Sequence, residues 1–246
     1  MNMIFNIHVR EYTKVIQKAW TRFPFIIQMS EVKIPMLKRF LDAQELAMNQ
    51  TLDYYAENAA AFVADTVYVD YSVNQGRFFA KLSPGASILD FGSGSGRDSK
   101  AFLDRGYIVT AIDGSPELCR IASAYTGIPV RQMLFTELDD VEAYDAIWAN
   151  ASILHVPFAE LPDVFRRMIT ALKPGGVMYV SFKYGTFEGD RSGRRYTDFT
   201  EEKFAEFMKQ FPELTIEDQW ISGDARPGRS NEKWLNVILR KTHRIL

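Results

Sequence analysis

One cysteine and three histidines are all that this 246-residue chain carries of the usual metal and redox side chains. Cys119 stands alone, which excludes an internal disulfide framework and a cysteine-cluster metal site. His8, His155 and His243 lie far apart, without the spacing of a helical zinc motif, so no metal is expected. A long hydrophobic run is also missing. The apolar stretch at 23–29 is broken by Pro24 and falls far short of the roughly 20 residues a bilayer helix needs. No charged, apolar and small-residue segments follow one another as in a secretory leader. Nor is there an excess of one charge: 29 basic against 31 acidic residues give a net charge of −2, without the basic footprint of a nucleic-acid binder. These absences point to a reducing compartment, hence a cytoplasmic protein with no membrane segment, and they argue against a dedicated nucleic-acid binder. Nothing in the sequence signals an oligomeric state.

What is present is a core. With 47% hydrophobic residues, the length suits one domain with or without an appendage. From about residue 86, short apolar runs at 87–91, 107–113, 129–134, 144–150 and 177–182 read as strands buried on both faces. Helical stretches lie between most of them. One spans 97–105 and closes at Gly106; another opens with Ser115-Pro116 and closes at Gly127. A third, 158–173, carries an apolar stripe through Leu161, Val164, Phe165, Met168, Ile169 and Leu172, and Pro174-Gly175-Gly176 breaks it. Thr200 caps a further helix whose first turn holds Glu201 and Glu202. Strands at 214–222 and 233–241 then form an antiparallel hairpin. Ahead of all this, 52–63 and 73–82 read as helices. Residues 1–47 are locally basic and mixed with aromatics. They read as a helical appendage, with a docking arm or a true start at Met48 as alternatives.

The strongest local signal is Ile88-Leu89-Asp90-Phe91-Gly92-Ser93-Gly94-Ser95-Gly96-Arg97. A buried strand ends in a loop with glycine at every second position, which turns into a helix. Glycine permits the turn and a close approach of backbone to a ligand, and the helix start offers free N–H donors. Asp113 ends the next strand, where a carboxylate can accept hydrogen bonds from a ribose diol. The dinucleotide fingerprint fails, because position 97 is arginine where it needs glycine. The phosphate-cradling P-loop fails too, because no Gly-Lys-Ser/Thr follows. A ligand with a ribose and an amino-acid tail fits better than a diphosphate.

Asp90-x-Gly92-x-Gly94-x-Gly96 resembles the first motif of class I S-adenosylmethionine-dependent methyltransferases. Asp113 resembles that family's ribose-binding acid. Residues 144–150 with Ile153-Leu154-His155-Val156 resemble its fourth motif, and Leu172-Lys173-Pro174-Gly175-Gly176 its fifth. The motifs occur in order over roughly 52–241. Tyr54-Tyr55 ahead of the loop and Gly96-Arg97-Asp98-Ser99 after it resemble the tellurite-resistance-type, small-molecule branch. The resemblance implies a Rossmann-like α/β fold: a seven-stranded, mostly parallel sheet with a C-terminal antiparallel hairpin and helices on both faces. The methyltransferase domain would span 48–246, with the helical N-terminal extension over 1–47.

It further implies S-adenosylmethionine as cofactor and S-adenosylhomocysteine as product. The implied cofactor contacts are Tyr54, Tyr55, Asp90, Gly92, Ser93, Gly94, Gly96, Asp113, Gly114, Met133, Leu134 and Asn150. Many relatives place an acid near position 134 for the adenine amino group; here the stretch is Gln132-Met133-Leu134-Phe135, leaving backbone groups, apolar contact or Glu137. His155 and Tyr184 are the candidate catalytic residues. The loops at 183–196 and 223–231 should face the acceptor with Lys183, Arg191, Arg194, Arg195, Arg226 and Arg229, beside Glu188, Asp190, Asp198 and Asp224. Cys119 reads as a packing residue.

The expected function is methyl transfer to a small-molecule acceptor, anionic or a thiol or chalcogen compound. An RNA or protein methyltransferase docking through 1–47, and a non-catalytic cofactor-binding protein, are the alternatives. The Asn-Pro-Pro-aromatic motif of DNA amino-methyltransferases is absent, since Ala151-Ser152 follows Asn150.

Overall fold

The computed structural model describes residues 50–229 and 231–242. All lie in the second of the two units into which the chain divides, Met1–Leu46 and Ala47–Leu246. The expected extension over 1–47, with His8, lies outside the described residues, as does His243.

Helix α1 occupies 50–66, followed by α2 (Ser72–Phe79), β1 (Ser87–Phe91), α3 (Arg97–Leu103), β2 (Ile108–Asp113), α4 (Pro116–Thr126) and β3 (Val130–Gln132). The chain continues through β4 (Tyr144–Ala149), α5 (Leu161–Ala171), β5 (Leu172–Lys183), β6 (Glu188–Arg191), β7 (Arg194–Thr197), α6 (Glu201–Met208), β8 (Leu214–Gly223) and β9 (Lys233–Lys241). Seven strands form one sheet in the order β3-β2-β1-β4-β5-β9-β8. The first five are parallel, and β9 runs antiparallel to both β5 and β8. The expected Rossmann-like architecture is present. The order reverses between β1 and β4, and in such sheets ligands lie beyond the carboxyl ends at that switch point.

Local chemistry explains the elements. Ser115 accepts a hydrogen bond from the Leu118 N–H at 3.4 Å, Pro116 takes the first helical position, and Gly127 ends α4 with φ +80°. Thr200 caps α6 by accepting from the Lys203 N–H. Along β1 and β4 alternate side chains leave on opposite faces. Leu89, Phe91, Ile147 and Ala149 join the core beneath α5 and α6. Ile88, Ala146 and Trp148 join Phe78, Phe102 and Tyr179 on the other face. There the Trp148 and Tyr179 rings stack at 3.9 Å. Each large side chain so buried contributes about 1.5–3 kcal/mol.

Three features of the strands differ from expectation. β3 is shorter, three residues instead of six, because Leu134 leaves the sheet to open a short 3-10 turn. β5 begins at Leu172, five residues early. Pro174-Gly175-Gly176 bulges the strand instead of preceding it: Tyr144 pairs with Leu172, but Ala146 with Val177. A side chain at Gly176 would meet the Asp145 carbonyl oxygen at 3.1 Å, so glycine there lets the bulge stay against β4. The third difference is the β6–β7 hairpin, within what reads as a charged loop. Its turn residues, Ser192 and Gly193, both have positive φ, +49° and +79°, the backbone of a primed hairpin turn.

Candidate active site

A cavity of about 640 Å³ opens beyond the carboxyl ends of the parallel strands. One half is built by the glycine loop, the ends of β2 and β4, and the turn after β3. The other half is built by the β6–β7 hairpin and the loop between β8 and β9. The face of α1 carrying Leu52, Tyr55, Phe62 and Thr66 lines both.

The glycine loop is fastened to β2. The N–H groups of Gly92 and Ser93 donate to the Ile112 carbonyl, at 3.0 and 2.9 Å. The Gly94 N–H donates to Asp113 Oδ2 at 2.9 Å, and the Ser115 N–H to Asp113 Oδ1, also at 2.9 Å. Burial raises Asp113, with these backbone donors opposing. Gly92, at φ +93°, faces Ser152 so closely that an added Cβ would lie 2.5 Å from the serine Cβ. The Ser93 hydroxyl is buried and has no partner among the described residues.

Behind the loop stands a buried carboxylate, Asp98. Its Oδ1 accepts from Gln75 Nε2 at 2.7 Å and Arg97 Nε at 2.9 Å. Its Oδ2 accepts from Arg97 Nη2, Trp148 Nε1 and Asn150 Nδ2, at 2.9, 2.9 and 3.0 Å. Burial opposes the charge, but Arg97 and the indole and amide donors outweigh it and hold Asp98 low. Asp90 is the converse case. Burial, then the nearby Asp98 charge, raises it, and its Oδ2 accepts from Ser99 Oγ at 2.6 Å.

On the other half, three distant segments meet. His155, in the 3-10 turn Ile153–His155, has Nδ1 2.6 Å from the Arg195 carbonyl and Nε2 2.9 Å from the Tyr55 hydroxyl. A carbonyl only accepts, so Nδ1 carries the proton and Tyr55 donates to Nε2. Burial pushes His155 down to about 4 and Tyr55 up to about 12, so both stay neutral near pH 7. Arg194 Nη1 donates to the same Tyr55 oxygen at 3.5 Å. Its guanidinium lies over the Tyr54 ring at 4.4 Å, with Tyr196 at 5.5 Å and Tyr55 at 5.7 Å.

The charged rim is mostly self-neutralised. Lys183 pairs with Asp224 at 3.3 Å and with Glu232; Arg226 grips Asp224 through two bonds, at 2.9 and 2.6 Å. Arg195 pairs with Glu188 at 2.9 Å, Arg229 approaches Glu232 at 4.0 Å, and Arg191 pairs with Asp198.

Of the residues expected at the site, Tyr55, Gly92, Ser93, Gly94, Asp113, Gly114, Met133, Leu134, Asn150, His155 and Tyr184 line the cavity. Tyr54, Asp90 and Gly96 do not. Tyr54 is half-buried beneath the Arg194 guanidinium, and Asp90 is sealed against Ser99. Gly96, at φ +80°, packs on α4, where an added Cβ would lie 2.9 Å from Thr126. Glu137 is engaged locally, its carboxylate accepting from the Leu134 N–H at 2.8 Å. Neither candidate catalytic group offers an open basic site: both His155 nitrogens are bonded, and the neighbouring Glu201 carboxylate raises Tyr184. Cys119 donates to the Asp113 carbonyl at 3.4 Å and is pushed up to about 11 by burial, a packing thiol. Sequence reading missed Phe62, Thr66, Phe135 and Ser152. The spacing of Leu52, Tyr55, Ala59, Phe62 and Thr66 marks one helical face and was the available signal for the first two.

Residues 88–176 match the family model described as the methyltransferase domain. The chain is 32% identical over 114 residues to a ubiquinone biosynthesis O-methyltransferase of Paramagnetospirillum magneticum, covering 44% of this chain and 45% of that protein. Its counterpart in Xylella fastidiosa is 37% identical over 106 residues, covering 39% and 42%. The chain thus spans less than half the length of these curated relatives. Among solved structures, the 1,6-didemethyltoxoflavin-N1-methyltransferase of Burkholderia thailandensis, with 1,6-didemethyltoxoflavin and S-adenosylhomocysteine bound, aligns with 77% of this chain and 89% of that chain, at 26% identity and a TM-score of 0.59. A SAM-dependent methyltransferase of Methanosarcina mazei aligns at 19% identity and a TM-score of 0.59, over 68% and 97%. The fold is that of the S-adenosylmethionine-dependent methyltransferases. No helix among the described residues is long and apolar enough to cross a membrane.

Proposed function

We propose that this chain is an S-adenosylmethionine-dependent methyltransferase that acts on a small-molecule acceptor. The observation that carries the reading is Asp113, bonded to Gly94 across the loop while its carboxylate lines the cavity, inside the segment that matches the methyltransferase domain.

The residues fit the cofactor. Each Asp113 oxygen is oriented by one backbone donor and keeps acceptor capacity for a ribose hydroxyl. The orphaned Ser93 hydroxyl and the glycine loop suit the polar amino-acid end, beside the Asn150 backbone. Met133, Leu134 and Phe135 offer an apolar wall for adenine. When bound, S-adenosylmethionine supplies a methyl group already activated by the sulfonium charge.

The chain's own task is then to align the acceptor and exclude water. Tyr55 acts as a hydrogen-bonding wall group, and His155 is a positioning residue that holds its hydroxyl. Because His155, Tyr55 and Tyr184 are all poorly suited to removing a proton, the acceptor brings its own lone pair. A thiolate, a chalcogenide, a ring nitrogen or an ionised oxygen meets that requirement. Enclosure under α1 favours a small molecule over a macromolecule. The tellurite-resistance-type signature does not sharpen the acceptor, because Arg97, Asp98 and Ser99 are engaged in the buried network behind the loop.

Calorimetric titration with S-adenosylhomocysteine tests the cofactor, with micromolar binding expected. Incubation with methyl-labelled S-adenosylmethionine and a size-fractionated cell extract tests the acceptor class. Label confined to the small-molecule fraction is expected; label in RNA or protein would replace the small-molecule reading with a macromolecular one.

A further inference from the structure

The cations around the cavity are not equivalent. Of the six expected to face the acceptor, five meet a carboxylate within 4.0 Å, and Arg194 meets none among the described residues. Lys233 also lines the cavity without a carboxylate, but it is exposed to water. Arg194 is half-buried, and its Nε is shut off from solvent with no partner among the described residues. The three tyrosine rings around it supply cation–π stabilisation and no negative charge. A sheltered guanidinium with an unmet N–H is unfavourable unless something completes it. Asp198, which also lines the cavity just past the end of β7, is buried and pairs with Arg191 through Oδ2, while its Oδ1 has no partner among the described residues. Arg194 and Asp198 both line the cavity, so its wall holds one cation without a carboxylate partner and one buried carboxylate with spare acceptor capacity.

We infer that the methyl acceptor carries an anionic oxygen group, received by Arg194, and a hydrogen-bond donor that turns toward Asp198. This deepens the small-molecule methyltransferase reading and rests on it. Arg194 would be the specificity-determining residue. Its planar fork matches a carboxylate or similar oxyanion better than an ammonium does. Its place beside Tyr55 fixes which end of the acceptor lies next to the Tyr55–His155 pair.

The test uses the full chain saturated with S-adenosylhomocysteine and two matched pairs of probes, benzoate with benzamide and phenylacetate with phenylacetamide. Wild-type protein should bind each anion about tenfold or more tightly than its amide, the scale of a charge-assisted hydrogen bond. Arg194→Gln should bring the ratio close to one, and Arg194→Lys should retain part of it. Arg229→Gln removes a cation from the same rim and should leave the ratio intact. Equal binding of anion and amide, no anion binding at all, a preference that survives Arg194→Gln, or one equally lost in Arg229→Gln would each overturn the inference. S-adenosylhomocysteine affinity separates the two readings. If it binds normally without an anion preference, only this inference falls; if it does not bind, the methyltransferase reading falls and takes the inference with it.

Discussion

The two halves of the cavity solve the same problem, holding polar groups away from water, by different means. On the glycine-loop half nearly every polar group is bonded to a residue from another segment, from Gly94–Asp113 to the donors of α2, β4 and Asn150 that converge with Arg97 on Asp98. On the hairpin half most charges are paired close by in the sequence, as in Arg226–Asp224 and Arg191–Asp198, and three buried atoms, Arg194 Nε, Arg195 Nε and Asp198 Oδ1, are left open among the described residues. The first half is organised to hold one fixed ligand. The second is organised around a deficit, which is what a residue set specific for an acceptor needs before the acceptor arrives.

The comparison breaks most visibly at Asp98. Asp98→Ala removes the acceptor of a buried guanidinium, an indole and two amides, and should lower stability by about 3–5 kcal/mol in urea unfolding. A loss below 1 kcal/mol would mean that the network does not support the loop. Next in size is Asp113→Ala, expected to weaken S-adenosylhomocysteine binding by about 1.5–3 kcal/mol in calorimetry. Unchanged affinity would remove Asp113 from the ribose site.

These two residues also mark how far the sequence could be read. Asp113 and the glycines announce themselves because the strand end, the turn and the helix start are contiguous, so their chemistry is local. Asp98 stands in the same motif, yet Trp148 and Asn150 are donors 50 and 52 residues away, and spacing alone does not reveal them. The hairpin is harder still. Glu188, Asp190, Arg191, Arg194 and Arg195 give no apolar alternation, so only Ser192-Gly193 hinted at a turn. The contact of Arg194 with Tyr55 spans 139 residues and exists only after the sheet has brought α1 and β7 together.

A smaller effect sharpens the hairpin half through pH. The folded value of His155, about 4, lies below the ordinary 6.5. The unfolded chain therefore binds the proton first as pH falls. The stability due to the neutral ring is complete above about 6.5 and is lost toward 4, at up to about 1.4 kcal/mol per pH unit. His155→Gln should make the unfolding free energy less steep than wild type between pH 6.5 and 5. Parallel slopes for the two proteins would show that His155 is not held neutral by burial.

The smallest effect belongs to the turn itself. Gly193 has φ +79°, and an added Cβ would lie 3.3 Å from the Tyr54 ring. Gly193→Ala should therefore cost about 1 kcal/mol of stability from the left-handed backbone. Its further consequence is positional. Gly193 adjoins Arg194, whose guanidinium lies over that same ring, so a displaced turn moves the cation with it. Affinity for S-adenosylhomocysteine should stay within about twofold, since the hydrogen bonds that fasten the glycine loop run to β2, while the benzoate-to-benzamide ratio falls. If both ligands weakened together, the two halves would be one mechanical unit, and the division between fixed and acceptor-specific walls would have to be withdrawn.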